Sequence, residues 1–322
     1  MPRSGLCNRL RVLTSSEVLA KLTGRSLRVC WEQGVGFSDE DFNDLFENQF
    51  PRVGADEFSL LREQGLRLDE VVRPSGGNQA RPPAESGFDQ VFDLEGVPVV
   101  TYSHFLGLHQ NPPPSRRLPS EFVTMCRQQV RTLQPEPSIR LTVEELAGSF
   151  GPMTVGVHVR RGDAIRYPHI GEHYRRSTDR SFFALMDDLM KRQPNTTFFL
   201  ATDSADTEAR FRERYGEALL TNPAKRFVES EVGRSKENQR DAVIDLYTLA
   251  STRRVLGTNW SSFSETAAIV GGIPLQVAYS RQSPMRKIGR RARGKAILIA
   301  RRAGRKAILV ARRSGRGTPQ GR

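Results

Sequence analysis

Between residues 151 and 279 the apolar positions switch repeatedly between a two-residue period and a helical one. "MTVGVHV" at 153–159 alternates, with Val155, Val157 and Val159 on one side and Gly156, His158 and Arg160 on the other, as in a strand with one buried face. "SFFALMDDLMKRQ" after Asp179 reads as an amphipathic helix and "TTFFLATD" as a strand. "ADTEARFRERYG" is a helix stopped by Gly216. "KENQRDAVIDLYTLAST" is helical through Val243, Leu246, Tyr247, Leu249 and Ala250. "RRVLGTN" follows as a strand, "SSFSETAAIVGG" as a helix closed by glycines, and "IPLQVAY" as a last strand. This alternation predicts an α/β fold with a parallel sheet and helices on both faces.

The first half is less regular. "NRLRVLTSSEVLAKLTG" predicts a helix ending at Gly24, "RSLRVCWE" a strand, "EDFNDLF" a short helix and "VPVVTYSHF" another strand. "RPSGGNQARPPAES" and "HQNPPPSRRLPS" read as Pro- and Gly-rich loops. The pattern divides the chain into a first α/β domain over 1–150, a second over 151–280 with its boundary near "AGSFGPM", and a tail over 281–322. Two such domains facing one another leave a cleft at the carboxyl ends of their strands.

Composition changes the picture in one place. The formal net charge is +13, yet 281–322 holds fifteen Lys and Arg and no acids, which leaves 34 basic against 36 acidic residues in 1–280. The basicity belongs to the tail, so it gives no ground for a nucleic-acid-binding body. The tail repeats itself at a period of eleven, "KAILIARRAGR" then "KAILVARRSGR". That period keeps its register on a helix, although five consecutive apolar residues wrap the circumference. Two readings stay open for it: a basic extension with no defined role, and peripheral attachment to an anionic membrane. Nucleic acid ranks below both, because the tail has no aromatic residue for stacking.

No apolar run approaches the about 20 residues of a membrane span. "MPRSGLCNRL" lacks the apolar centre of a secretory signal. Cys7, Cys30 and Cys126 are odd in number and widely spaced, which argues against a disulfide scaffold. "NTT" at Asn195 and "NWS" at Asn259 match the glycosylation pattern without other signs of secretion. The expected location is cytoplasmic, with the inner membrane face open through the tail.

Candidate chemistry sits at element junctions. "GLCNRL" opens the first helix, where a glycine either relieves sterics or lets backbone amides approach a phosphate or sugar hydroxyl. "HVRRGD" ends a strand with two planar cations that suit a diphosphate, unless one pairs internally with Asp163 or a helix acid. In "GTNWSSFSETA" the serines either cap the helix or join its amides around a phosphate. Asp203 in "LATDS" either caps the next helix or reads a base through its amino hydrogens.

Taken together, "HVRRGD", "FFLATDS", "RDAVIDLYTLAST" and "LGTNWSSFSETA", in that order and spacing, resemble the fucosyltransferase superfamily. So does "GLCNRLRVLTSSEVLAKLTGRSLRVCWE", with its G-x-x-N-R start and a strand ending in tryptophan. The resemblance covers most of 5–275. It implies a GT-B fold of two Rossmann-like domains, a GDP-sugar donor with fucose as the expected sugar, a glycan or other hydroxyl acceptor, and inversion at the anomeric carbon. It places Arg160 on the donor diphosphate with Arg161 supporting the site, and His158 and Asp203 at the guanine or ribose. Ser261, Ser262 and Phe263 line the phosphate and base pocket, with Gly5, Asn8 and Arg9 across the cleft. Cys7 stands where relatives have glycine.

Stabilising a departing diphosphate takes either a metal on carboxylates or fixed cations and helix N-termini. "DED" at Asp39–Asp41 offers the first, but it opens an amphipathic helix, where acids are expected anyway. The expectation is therefore a metal-independent glycosyltransferase that uses no cofactor, with Arg160 as the main electrostatic group. Asp163 and Glu172 are the carboxylates nearest the motif, and Asp163 is taken as the base. Two other classes compete: a nucleotide-sugar-binding protein without turnover, and a membrane- or nucleic-acid-binding protein whose α/β body is a scaffold.

Overall fold

The second half folds around five parallel strands because its β-branched and aromatic runs are each separated by a helix long enough to cross back. The computed structural model describes residues 5–31, 40–67, 96–101, 119–161, 175–227 and 236–279. The chain forms two compact units, Met1–Tyr279 and Ser280–Arg322, and the second, with its tandem repeat, lies outside the described residues.

The described helices are α1 (Leu6–Leu22), α2 (Ala55–Gln64), α3 (Ser120–Val130), α4 (Pro137–Gly148), α5 (Asp179–Arg192), α6 (Ala205–Tyr215), α7 (Lys236–Ala250) and α8 (Ser262–Gly271). The strands are β1 (Leu66–Arg67), β2 (Val99–Val100), β3 (Val155–Val159), β4 (Phe198–Thr202), β5 (Leu219–Leu220), β6 (Val255–Thr258) and β7 (Leu275–Ala278). The last five form one sheet in the order β5-β4-β3-β6-β7, every pair parallel. The order reverses between β3 and β6, which opens a crevice beyond their carboxyl ends, the usual ligand position in a sheet of this kind.

Alternation along β3 decides what each face meets. Val155, Val157 and Val159 pack with Phe182, Met186, Phe198, Leu200 and Phe211 beneath α5 and α6. The opposite face, with Phe199 and Ala201, packs under Val243, Leu246 and Leu249 of α7 and Ala267 and Ala268 of α8. Both faces of β3 are therefore buried, not one as its alternation predicts, because a central strand of a doubly covered sheet has no solvent side. Gly156 makes that covering possible: a Cβ there would stand 2.8 Å from Thr252 Oγ1 and 2.9 Å from Leu249 Cδ2.

The first half adds less regular structure. Leu6, Leu10 and Leu13 of α1 join the cluster of α7 and α8, so one apolar core runs across position 150. Phe42 stacks on Phe46 with ring centroids 4.9 Å apart and meets Trp31 edge-on at 5.2 Å. The strand predicted at 25–32 is reduced, among its described residues, to a single parallel bridge between Val29 and Arg52. The short helix at 40–46 is a 3₁₀ turn, Phe42–Asp44. Asp41 starts that turn, accepting the Asn43 N–H at 2.9 Å and pairing with Arg52 at 2.5 Å.

Candidate active site

The site is built where β3 and β6 end. Thr258 Oγ1 donates to the His158 carbonyl and accepts the Arg160 N–H, both at 2.9 Å, which fixes the two strand ends side by side. Beyond Val159 the chain carries its two arginines out on a backbone held by Asp203, whose Oδ1 accepts the Arg161 N–H at 2.7 Å. Arg160 Nη1 lies 3.2 Å from Asp203 Oδ2, and its side chain keeps 36% of its surface exposed.

The two arginines differ in kind. Arg161 is 17% exposed, donates to the Arg160 carbonyl at 3.0 Å and pairs with Asp179 at 2.6 Å. Asp179 also takes Arg210 at 2.8 Å. Burial opposes ionisation of Asp179, yet the hydrogen bonds and charges of Arg161 and Arg210 outweigh it and hold the carboxyl below its ordinary range. Arg161 thus fastens β3 to α5 and α6, while the more exposed Arg160 reaches Asp203 at the end of β4.

His158 is 5% exposed. Its Nδ1 lies 2.7 Å from Ser264 Oγ, and its ring stacks on Phe263 with centroids 4.6 Å apart. Burial, and then the charges of Arg160, Lys225 and Arg161, drive its pKa well below the ordinary 6.5, so the imidazole is neutral. Gly257 permits the close approach of α8, since a Cβ there would fall 2.6 Å from Ser264 Cβ. Ser261 occupies the N-cap of α8 but makes no side-chain cap bond, so its hydroxyl does not occupy the first-turn amides.

A second helix, α1, packs against α8. Gly5 caps α1 in extended conformation, and Cys7 in its first turn bonds Thr266 of α8. Desolvation pushes the Cys7 thiol up to about 12 against the opposing charges of Arg11 and Arg160. Arg11, 1% exposed, pairs with Glu265 of α8. Arg9 is equally buried, its guanidinium 3.8 Å over the Trp31 ring.

The structure thus brings together His158, Arg160, Arg161, Asp203, Ser261, Ser262 and Phe263, with Gly5 and Asn8 on the turn of α1 that abuts α8. Arg9 is directed onto Trp31. Asp163 and Glu172 lie outside the described residues. Sequence reasoning misses Thr258, Asp179, Arg210, Arg11 and Glu265, and also a polar group between α7 and the segment after β5. There Lys225 pairs with Asp245, a carboxylate 2% exposed whose pKa burial raises. Asp245 Oδ1, Asn222 Nδ2 and Thr248 Oγ1 are buried without hydrogen-bond partners. Asp245 sits in the quoted "AVIDLY", and one acid among apolar helix positions is the signal that would have found it.

No protein-family model matches the chain. No curated protein matches it either. Among solved structures, an Arabidopsis thaliana FUT1 mutant in complex with GDP is similar over 87% of this chain and 69% of that chain, at 17% identity and a TM-score of 0.54. The fold is fucosyltransferase-like. The fucosyltransferase NodZ from Bradyrhizobium is similar at 21% identity over 82% of this chain and 90% of that one, with a TM-score of 0.49. POFUT1 in its apo form is similar at 14% identity over 86% and 95%, with a TM-score of 0.48. At these identities the likeness concerns the fucosyltransferase-like fold, and the chemistry is argued from the residues.

Proposed function

We propose that the chain is a GT-B-type inverting glycosyltransferase that moves a sugar, fucose by expectation, from a GDP-sugar to a hydroxyl of a glycan or similar acceptor. In this reading 1–150 and 151–280 are its acceptor-side and donor-side halves. One observation carries the reading: Arg160 stands partly exposed beyond the end of β3, its N–H held by Thr258 at the end of β6, from which the chain runs into the N-terminus of α8. A positive helix end and a guanidinium at neighbouring strand ends are electrostatics that suit a diphosphate. The FUT1 mutant of similar fold was solved in complex with GDP, the nucleotide proposed here.

The acceptor oxygen attacks the anomeric carbon, the bond from that carbon to the β-phosphate oxygen breaks, and its electron pair leaves with GDP. Arg160 and the first-turn amides of α8 meet the charge that develops on the leaving oxygen, which takes the place of a metal. Asp163 takes the acceptor proton. Neutral His158 orients Ser264 and Phe263 under the nucleotide. The unpartnered atoms of Asn222 and Asp245 supply a donor and an acceptor for the edge of the base. A base bonding there satisfies groups that otherwise stay buried at a cost.

Calorimetric titration of the full chain with GDP, UDP and GDP-fucose tests the donor. GDP and GDP-fucose should bind, and UDP should bind at least about tenfold more weakly. GDP release from GDP-fucose over a set of glycan acceptors then separates turnover from binding alone. Equal affinity for GDP and UDP, or no affinity for either, overturns the proposal. Attachment of 281–322 to anionic membranes is a separate reading favoured by its fifteen basic residues. Vesicle sedimentation of the full chain and of one ending at 280 tests it.

A further inference from the structure

Five large hydrophobic side chains are exposed among the described residues, and the two aromatic ones, Trp260 at 58% and Tyr279 at 53%, leave the sheet at adjacent strand ends. Thr258 of β6 is the register partner of Ala278 of β7. Trp260 follows Thr258 by two residues and Tyr279 follows Ala278 by one. Buried Ser177 ties these ends together, donating to the Ala278 carbonyl and accepting the Asn259 N–H at 2.8 Å. Trp260 holds φ +64°, the only positive φ at a non-glycine among the described residues. A bulky residue in that region is held there by its surroundings, and such positions gather at ligand sites.

We propose that Trp260, with Tyr279 at the neighbouring strand end, is the platform on which the acceptor saccharide lies. The inference rests on the donor reading above, which fixes its direction. With the diphosphate at the β3/β6 crevice, the buried polar atoms of Asn222 and Asp245 lie on the β4–β5 side and take the base. The transferred sugar and its acceptor then extend over the other side, where β6 and β7 end in these two rings. A pyranose offers a C–H face that settles on the electron-rich face of an aromatic ring, while its hydroxyls stay in water. Two χ angles make either ring a surface that loses little entropy on binding.

The test uses the full chain saturated with GDP, and as probes the methyl α- and β-glycosides of glucose, galactose, mannose and N-acetylglucosamine, read by saturation-transfer NMR. At least one glycoside should receive saturation at its ring C–H protons. That transfer should fall about fivefold in Trp260→Ala and return in Trp260→Phe. Calorimetric GDP affinity should stay within about twofold throughout. Undiminished transfer in Trp260→Ala, or no transfer to any glycoside in GDP-bound wild type, overturns the inference alone. So does a loss of GDP affinity of about tenfold in Trp260→Ala, which would make the ring a donor contact. Failure of wild type to bind GDP instead overturns the donor reading beneath it.

Discussion

Arg11 and Glu265 form an ion pair in which the arginine is 1% exposed, joining α1 to the first turn of α8. Two further guanidinium nitrogens of Arg11, Nε and Nη1, are buried without hydrogen-bond partners. Arg11 therefore carries a charge that only this pairing and its surroundings compensate. Arg11→Leu should destabilise the fold by about 3–5 kcal/mol, because it takes the buried cation away from the Glu265 carboxylate. Arg11→Leu with Glu265→Leu should recover a good part of that loss, which a double-mutant cycle by urea unfolding measures.

Removing Arg160 and removing Arg161 should have opposite signatures. Arg160→Ala takes away the exposed cation of the crevice and should lower turnover by about 10²–10³ with little effect on melting. Arg161→Ala breaks the tie to Asp179 and should cost about 1–3 kcal/mol of stability. Its effect on turnover should be the smaller of the two. Melting curves and GDP release on the same preparations decide the matter.

The α/β alternation from 151 to 279 is legible because helix and strand periods alternate without interruption and because glycines stop the helices. Gly216 at φ +48° and Gly272 at φ +63° close α6 and α8 where the pattern places them. In the first half the same reading finds α1, which ends just before Gly24, but misses α2 and α4 for physical reasons. α2 buries only Phe58, so it has no apolar stripe to detect. α4 does announce itself, with Glu136 accepting from the Ser138 and Ile139 amides before Pro137, but a glutamate is not the usual cap. The site was legible as a set of strand ends, not as a division of labour. Whether Asp203 reads a base or holds arginines depends on contacts between residues 42 apart, which no local pattern encodes.

His158 predicts a pH dependence. Its folded pKa lies well below 6.5, while in the unfolded chain it returns to that ordinary value. Below the unfolded value the unfolded state binds the extra proton, so stability is complete above about pH 7 and falls on acidification. The slope should approach about 1.4 kcal/mol per pH unit from this group. Urea midpoints from pH 7.5 to 5 should show it, and His158→Gln should reduce it.

Burial pushes the thiols of Cys7 and Cys126 up to about 12. All three cysteines, Cys30 included, are buried. At pH 8 the native chain should react with an aromatic disulfide reagent at well under one thiol per chain, and at three once unfolded in guanidinium.

Gly257→Ala would drive a methyl into Ser264, 2.6 Å from its Cβ. The first turn of α8 must yield, since β6 is fixed by its pairing on both sides. A loss of about 1–3 kcal/mol is expected by thermal unfolding. GDP affinity should fall with it, as the turn that carries Ser261, Ser262 and Phe263 shifts.

His158 and Ser264, which touch in the buried seam between β3 and α8, are 106 residues apart in the chain. No part of this pocket is local, so it cannot exist before the final crossover helix has docked. A ribosome-bound chain emerging up to β6 has its arginines but nowhere to hold a nucleotide, and in refolding, ligand binding should be among the last signals to recover.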